Sequence, residues 1–419
     1  MDHYDELAWR GLVYDATEGV REALARGRVT GYIGFDPTAS SLHVGSLLVI
    51  MGLARLQRAG HRPIALVGGG TGLIGDPKPT TERALLSPEE TASNVAGIRG
   101  QLARFLDFDE RPNRALLIDN ADWLTKLGAI EFMRDVGKHF SVNAMLTKDS
   151  VKKRIEGEGI SYTEFSYSLL QAYDYLVLHD RFSCTLQMGG SDQWGNITAG
   201  MDLIRRVRGG KAHGLVLPLV TTASGTKFGK TEAGTIWLDP ALTKPYEFHQ
   251  FWLNVDDRDA VRYLKFFTFL DETRIGELEA ATTREPEQRH AQRTLAREVT
   301  QLVHGADAVR EAESAAEKLF KGDIRLMSEG ELLQVFSSVP SSQTTYRSEG
   351  WLVTEFLASN AVTASKGEAA RLIKGGGISI NGQRVVDEKA RVLADDALHT
   401  RYFVVRKGKK DNFLVRLMR

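Results

Sequence analysis

A doubly wound parallel α/β sheet, followed by a helical region and a small basic α+β unit, is the architecture this sequence predicts. Three observations carry it. Over the first 225 or so residues, short β-type runs alternate with helical patterns, as in a parallel sheet with crossover helices. The 419 residues amount to about three domains at ~150 residues each. An apolar content of 42% with 26% charged residues is that of an ordinary folded chain, not a disordered or collagen-like one.

The elements follow in order. Residues 29–35 (VTGYIGF) form the first strand, and residues 46–59 read as an amphipathic helix ended by Gly60. Residues 63–67 (PIALV) are a buried strand running into Gly68-Gly69-Gly70. Further strands are expected at 115–119, 184–188 and 215–220. Strand, helix, strand in this sequence implies right-handed crossovers and a doubly wound sheet. From about Pro245 to Lys321 the chain is charged and poor in glycine, with Val261, Leu264 and Phe267 at helical spacing, so a helical domain is expected. Residues 328–350, rich in Ser, Thr and Gln, read as a linker, with residues 332–336 (LLQVF) able to pack locally. The last 69 residues are a third unit, helical at 352–359 and 366–375 and strand-like at 378–382. The expected boundaries are 1–225, 226–325, 326–350 and 351–419.

Charge and cysteine usage narrow the class. The net charge is zero, with 54 basic against 54 acidic residues. The tail from Trp351 to Arg419 nevertheless holds thirteen Lys/Arg against seven Asp/Glu, which suggests a polyanion contact at that end. One cysteine, Cys184, excludes an internal disulfide framework and a cysteine-cluster metal site. The first twenty residues carry acids and no continuous apolar stretch, unlike a secretory signal. The longest apolar run, Leu47 to Ala54, falls far short of the ~20 residues that span a bilayer. A soluble cytoplasmic protein with no membrane partner is expected.

Two segments carry chemistry. Gly34-Phe35-Asp36-Pro37-Thr38-Ala39-Ser40-Ser41-Leu42-His43-Val44-Gly45-Ser46 lies between the first strand and its helix, at the carboxyl edge of the sheet. Open α/β sheets bind ligands there, and the free amides of a helix start suit phosphate. His43 in that place can donate to a phosphoryl oxygen, or it can serve simply as a helix cap. The second segment, Gly225-Thr226-Lys227-Phe228-Gly229-Lys230-Thr231, sets two lysines three residues apart in a glycine-flanked loop. Such a loop can neutralise a pyrophosphate leaving group, or it can be a solvated turn. Its spacing does not match a Walker loop.

Together these segments resemble the two signatures of class I aminoacyl-tRNA synthetases. The surrounding text is similar to that of bacterial-type tyrosyl-tRNA synthetases, over nearly the whole length. The supporting stretches are Tyr32 to Thr38, Gly72-Leu73-Ile74-Gly75-Asp76-Pro77, Val136 to Asn143 and Gln187 to Asn196. The resemblance implies a fold, a reaction and a set of sites. Residues 1–225 would be a Rossmann-like catalytic domain with a dimer-forming insertion. Residues 226–325 would hold the lysine loop and a helical anticodon-side domain, and 351–419 an RNA-binding module like that of ribosomal protein S-four. The reaction implied is activation of L-tyrosine by Mg2+-bound ATP, then transfer to tRNA(Tyr) by a homodimer.

Residue by residue, the resemblance assigns Tyr32 and Asp174 to the substrate phenol. A buried donor and acceptor left unpaired by phenylalanine would cost free energy. Asp76, Tyr167 and Gln171 match the ammonium group, with Asn120 beside them and Gln193 near the reacting carboxylate. Tyr167, Gln171 and Asp174 are spaced by four and three, on one helix face. For ATP, the resemblance implies Gly34, Asp36, Thr38 and Gly45 near the phosphates, Gly190 and Asp192 at the ribose, and Leu219 and Val220 at the adenine. His43, Thr38, Lys227 and Lys230 would act on the developing phosphate charge, with Thr231 and Ser46 beside them. No resident metal site is implied. Arg371 and Lys374 would face RNA.

The chain departs from the pattern twice. Ser46 stands where the family usually has a second histidine, and residues 77–82 are one residue short, so Lys78 and Arg83 align only approximately. Two other readings compete. A non-catalytic RNA-binding protein on a synthetase scaffold has only Ser46 in its favour. A tryptophanyl synthetase shares the scaffold but lacks a reason for Tyr32 with Asp174.

Overall fold

The computed structural model describes the chain except for Met1, residues 78–84, Glu158, Ser224, Thr226, Lys227, Glu232, Ala233, Gly322, Ser338, Lys409, Lys410 and Arg419, and the side chains of Asp149, Ser150, Lys230 and Thr231. It separates into two compact units. One comprises residues 1–242 and 252–303, the other residues 243–251 and 304–419.

The first unit is built on a six-stranded sheet. Its strands are β1 (Asp15–Ala16), β2 (Thr30–Phe35), β3 (Arg62–Val67), β4 (Leu116–Asp119), β5 (Cys184–Gly190) and β6 (His213–Leu217), in the order β1-β6-β5-β2-β3-β4. All neighbours pair in parallel except β1, a short antiparallel edge strand on β6 that periodicity alone does not reveal. β2 is central: the chain crosses from it to β3 on one side and reaches β5 on the other. The doubly wound expectation holds. The last strand was expected at 215–220, yet it runs from His213 to Leu217, because Pro218 has no N–H to continue the ladder.

The helix after β2, Val44–Arg58, buries Leu47, Leu48, Ile50, Met51, Leu53 and Leu56. At about 1.5–3 kcal/mol per such side chain, its burial against the sheet outweighs any helix propensity. That packing fixes the helix start, and with it the segment that precedes it. On the other face, helix Tyr162–Phe182 packs on helix Trp194–Arg208, with Tyr175 and Leu178 fully buried in a core that includes Tyr32, Ile64 and Leu203. A buried ion pair, Arg154 to Glu164 at 2.9 Å, ties the neighbouring helix Asp149–Ile155 to it.

The expected helical domain is real as secondary structure but not as one compact piece. Helices Asp257–Phe267, Glu272–Arg284 and most of His290–His304 belong to the first unit, while Ala306–Lys321 belongs to the second.

The second unit corrects the linker expected at 326–350. Residues Glu329–Val335 form a helix with a capping box between Ser328 and Glu331, and Lys318 holds Glu331 at 2.8 Å. Beyond β7 and β8 of the first unit (Lys230–Thr231 and Gly234–Thr235), β9 (Ser341–Thr345) pairs in parallel with β15 (Asp411–Met418). It forms the edge of a sheet that continues through β14 (Tyr402–Lys407), β11 (Ile378–Ile380) and β12 (Gln383–Arg384). A two-stranded ribbon, β10 (Trp351–Leu352) with β13 (Arg391–Val392), lies beside it in the chain. Met327, Leu332 and Phe336 share a core with Tyr402, Val404 and Leu414.

Candidate active site

The carboxyl ends of β2 and β5 open into a pocket of about 710 Å3. This is the crevice where strand order reverses, the usual ligand position of such sheets.

Its deeply buried lining includes Tyr32 on β2 and Asp174 on helix Tyr162–Phe182, which are 1% and 2% exposed. Asp174 accepts hydrogen bonds from Asn120 Nδ2 at 2.8 Å and Trp123 Nε1 at 2.7 Å. Burial pushes the Asp174 carboxyl up to about 8, against the pull of those two donors. Among the described residues the Tyr32 hydroxyl has no hydrogen-bond partner. Burial, and then the nearby Asp174 charge, hold its proton on well above the ordinary tyrosine range. A hydroxyl donor and a carboxylate acceptor side by side suit a ligand group that both accepts and donates.

From Asp174 a chain of hydrogen bonds runs through the pocket wall. Asn120 Nδ2 also donates to Thr71 Oγ1 at 2.9 Å, and the Thr71 hydroxyl donates to Asp36 Oδ1 at 2.8 Å. The other Asp36 oxygen accepts from the Tyr167 hydroxyl at 2.8 Å. Tyr167, Gln171 and Asp174 all reach the pocket from one helix face, as their spacing requires.

Asp76 makes a second acidic point. Gln193 Nε2 donates to it at 2.9 Å and Asn196 Nδ2 at 3.3 Å, and Gln171 Nε2 donates to Gln193 Oε1 at 3.2 Å. Burial pushes Asp76 up to about 6, with the Gln193 hydrogen bond opposing it. Lys148, whose ammonium burial brings down to about 8, donates to Asn196 Oδ1 at 3.4 Å. A carboxylate among neutral amides is a fit setting for a ligand ammonium.

The first signature takes its shape from the helix start. His43 is the N-cap of Val44–Arg58, and its Nδ1 accepts the Gly45 N–H at 3.0 Å. The neutral ring then carries its proton on Nε2, so the cap selects the nitrogen that donates. Capping and chemistry are therefore not rival readings of His43. A Cβ on residue 45 would stand 2.7 Å from the imidazole, so only glycine permits this arrangement. Ser46, half-buried, lines the pocket and bonds the His43 carbonyl through its N–H at 2.8 Å. Gly34 and the exposed Thr38 also line it.

Lys227, Lys78 and Arg83 lie outside the described residues, and so do the side chains of Lys230 and Thr231. The backbone around them is informative. β7 pairs with β8, and Gly229 stands at φ +81°, where a Cβ would come within 2.7 Å of Val44 Cγ2. The Ile236 N–H bonds the Gly229 carbonyl at 3.0 Å, and the Val44 N–H bonds the Ile236 carbonyl at 3.0 Å. A β-bridge joins His43 to Trp237, whose rings meet edge to face at 6.1 Å. The two signatures, far apart in sequence, are thus laced together by main chain.

Gly190, Asp192, Leu219 and Val220 line the more exposed side, with Leu219 57% exposed. In the second unit Arg371 is exposed on helix Lys366–Lys374, and Lys374 meets Glu388 at 3.2 Å. Thr71, Trp123, Gln187 and Asn196 were missed from sequence. Trp123 stands three residues after Asn120 and Asn196 three after Gln193, so local spacing around the assigned residues held the signal. Among the described residues no cluster of His, Cys, Asp and Glu could hold a metal ion, and no helix is long and apolar enough to cross a membrane.

A doubly wound sheet with a capped histidine and a lysine loop at its switch point defines a class I tRNA synthetase. The family model for class I tRNA synthetases (W and Y) matches residues 24–321. The chain belongs to the tyrosine–tRNA ligase family of that class: the model for the tyrosine–tRNA ligase C-terminal domain matches residues 331–415. Tyrosine–tRNA ligases from Roseiflexus castenholzii and Geobacillus stearothermophilus are each 53% identical to it, over 99% of this chain and 99% and 100% of theirs. Among solved structures, a C-terminally truncated mitochondrial tyrosyl-tRNA synthetase from Aspergillus nidulans is similar with a TM-score of 0.68 at 31% identity. It matches 76% of this chain and 94% of that one.

Proposed function

We infer that this chain is a tyrosine–tRNA ligase that activates L-tyrosine with ATP and passes it to tRNA(Tyr). The single observation that carries the reading is the buried Tyr32 hydroxyl and the buried Asp174 carboxyl group lining one pocket. A phenol hydroxyl would accept from the first and donate to the second, and phenylalanine would leave both unpaired.

In this reading the tyrosine ammonium meets Asp76, with Tyr167 and Gln171 beside it. The tyrosine carboxylate attacks the α-phosphorus of ATP, taken as its magnesium complex. A phosphorus–oxygen bond to the carboxylate forms, the bond to the β-phosphate oxygen breaks, and pyrophosphate leaves. His43 Nε2–H, Thr38, Lys227 and Lys230 stabilise the charge that builds on the phosphates, with Ser46 and Thr231 near them. Gly190 and Asp192 take the ribose, and Leu219 and Val220 the adenine. A terminal ribose hydroxyl of the tRNA then attacks the activated carbonyl and releases AMP. Both steps depend on alignment more than on a protein base.

Arg371 and Lys374, on helix Lys366–Lys374, take RNA. A homodimer is part of the reading: Ile130, Met133 and Val142, between β4 and β5, are 75%, 50% and 58% exposed, apolar side chains suited to contact with a second copy. Action in the cytoplasm completes it.

The test is exchange of labelled pyrophosphate into ATP with each amino acid in turn. Exchange with tyrosine and not with phenylalanine or tryptophan is expected. Exchange that prefers tryptophan, or none at all, would overturn the reading.

A further inference from the structure

The lysine loop is held at two points by side chains that belong to neither signature. At its entrance, the Ala223 N–H donates to Asp259 Oδ2 at 2.7 Å, and Asp259 is 3% exposed. The Tyr263 hydroxyl donates to the Thr221 carbonyl at 2.9 Å, and Arg262, paired with Asp259 at 2.6 Å, donates to the same carbonyl. All three side chains stand on one helix, Asp257–Phe267. Further on, the Phe228 ring is 5% exposed. It stacks on Phe267 with centroids 5.5 Å apart and planes 11° from parallel, and meets Tyr263 at 5.0 Å and Trp252 at 5.7 Å.

An aromatic side chain buried in the middle of a lysine- and glycine-rich segment is unexpected if that segment is only a solvated cationic turn. Lys227 immediately precedes Phe228 in the chain, and Lys230 follows it by two. Gly229 is fixed in turn by its carbonyl bond to Ile236 and its contact with Val44. Phosphate stabilisation by a cation depends on its distance and direction, and a displacement of about 1 Å can cost a hundredfold in rate. A buried loop ring seated against a helix, and a buried carboxylate on that same helix, are suited to set that distance.

We propose that Phe228, seated among Trp252, Tyr263 and Phe267, and Asp259, bonded to Ala223, are positioning residues that set where the loop's two lysines meet the triphosphate. The proposal rests on the activity inferred above and deepens it. Phe228 borders the pocket and acts through the loop that carries it, and Asp259 acts through Ala223. Their contribution falls on the step in which pyrophosphate departs, since Phe228 is seated on Trp252 and helix Asp257–Phe267, whereas Tyr32 and Asp174 stand on β2 and helix Tyr162–Phe182.

The experiment compares wild type with Phe228→Ala, Phe228→Leu and Asp259→Ala in the full chain. Equilibrium tyrosine binding and the single-turnover rate of adenylate formation are both measured. Phe228→Ala and Asp259→Ala are expected to slow adenylate formation at least ~10-fold, with the tyrosine Kd within about twofold. Phe228→Leu, which keeps an apolar anchor, recovers most of the rate. Rates within about twofold of wild type for both alanine variants overturn the proposal, and so does a parallel loss of tyrosine affinity, which marks a merely structural role. Should Phe228→Ala fail to fold, Asp259→Ala decides by the same criterion. A wild type without tyrosine-dependent exchange instead refutes the activity on which the proposal rests.

Discussion

The Trp123 indole donates to the Asp174 carboxylate at 2.7 Å, opposite the 2.8 Å bond from Asn120. The ring does more than fill space, because each donor favours the charged carboxylate against a burial that disfavours it. Trp123→Phe keeps the apolar contact and removes one donor. A hydrogen bond to a charged group is worth about 1.5–3 kcal/mol, so tyrosine affinity should fall roughly 10-fold or more. Isothermal titration would register the change. Unaltered affinity would mean that Asn120 alone holds Asp174.

Asp76 sets an acid limb for tyrosine binding. With its carboxyl raised to about 6, the charged form needed by an ammonium is lost as pH falls through that value. The tyrosine Kd should rise by about tenfold per pH unit below 6. The ligand-free protein responds in the opposite sense. Asp76 and Asp174 both have raised folded-state values, so the stability tied to their protonated forms is present in acid. It is lost as pH rises through about 6 and then about 8. Thermal melts of the free protein between pH 5 and 9 should show this decline, and saturating tyrosine should reduce it.

Gly45→Ala tests the coupling of cap and chemistry. The added methyl would overlap the His43 ring, and the cap would be lost at a cost of about 1 kcal/mol. Adenylate formation should drop at least ~10-fold through misdirected Nε2, while tyrosine binds normally. A variant with full rate would falsify the claim that the cap directs the histidine.

Lys230→Ala should depress adenylate formation strongly and leave tyrosine affinity nearly unchanged, because a cation on the departing pyrophosphate acts in the transition state. Normal pyrophosphate exchange by this variant would remove Lys230 from the mechanism.

The sheet was legible because buried parallel strands must be continuous apolar runs, as in residues 63–67, and because the helix before them carries the run 47–54. The pocket residues on helix Tyr162–Phe182 were legible through their spacing. What escaped were features whose stabilisation comes from the backbone or from partners distant in sequence. Ser341–Thr345 has no apolar alternation, and its place in the sheet comes from the ladder with Leu414–Met418. Thr71 and Asn196 are ordinary polar residues until Asn120 and Asp76 are brought beside them. The Asp259 contact with Ala223 joins residues that no local pattern relates.

The parallel pairing of β9 with β15 has a practical corollary for anyone dissecting this chain. A fragment begun near residue 350 would discard an outer strand and strip Met327, Leu332 and Phe336 from beneath Tyr402 and Leu414, exposing a greasy underside to water. Such a piece should clump or melt early, and weak RNA capture by it would report poor surgery, not poor recognition. Scissors belong upstream of Ile324.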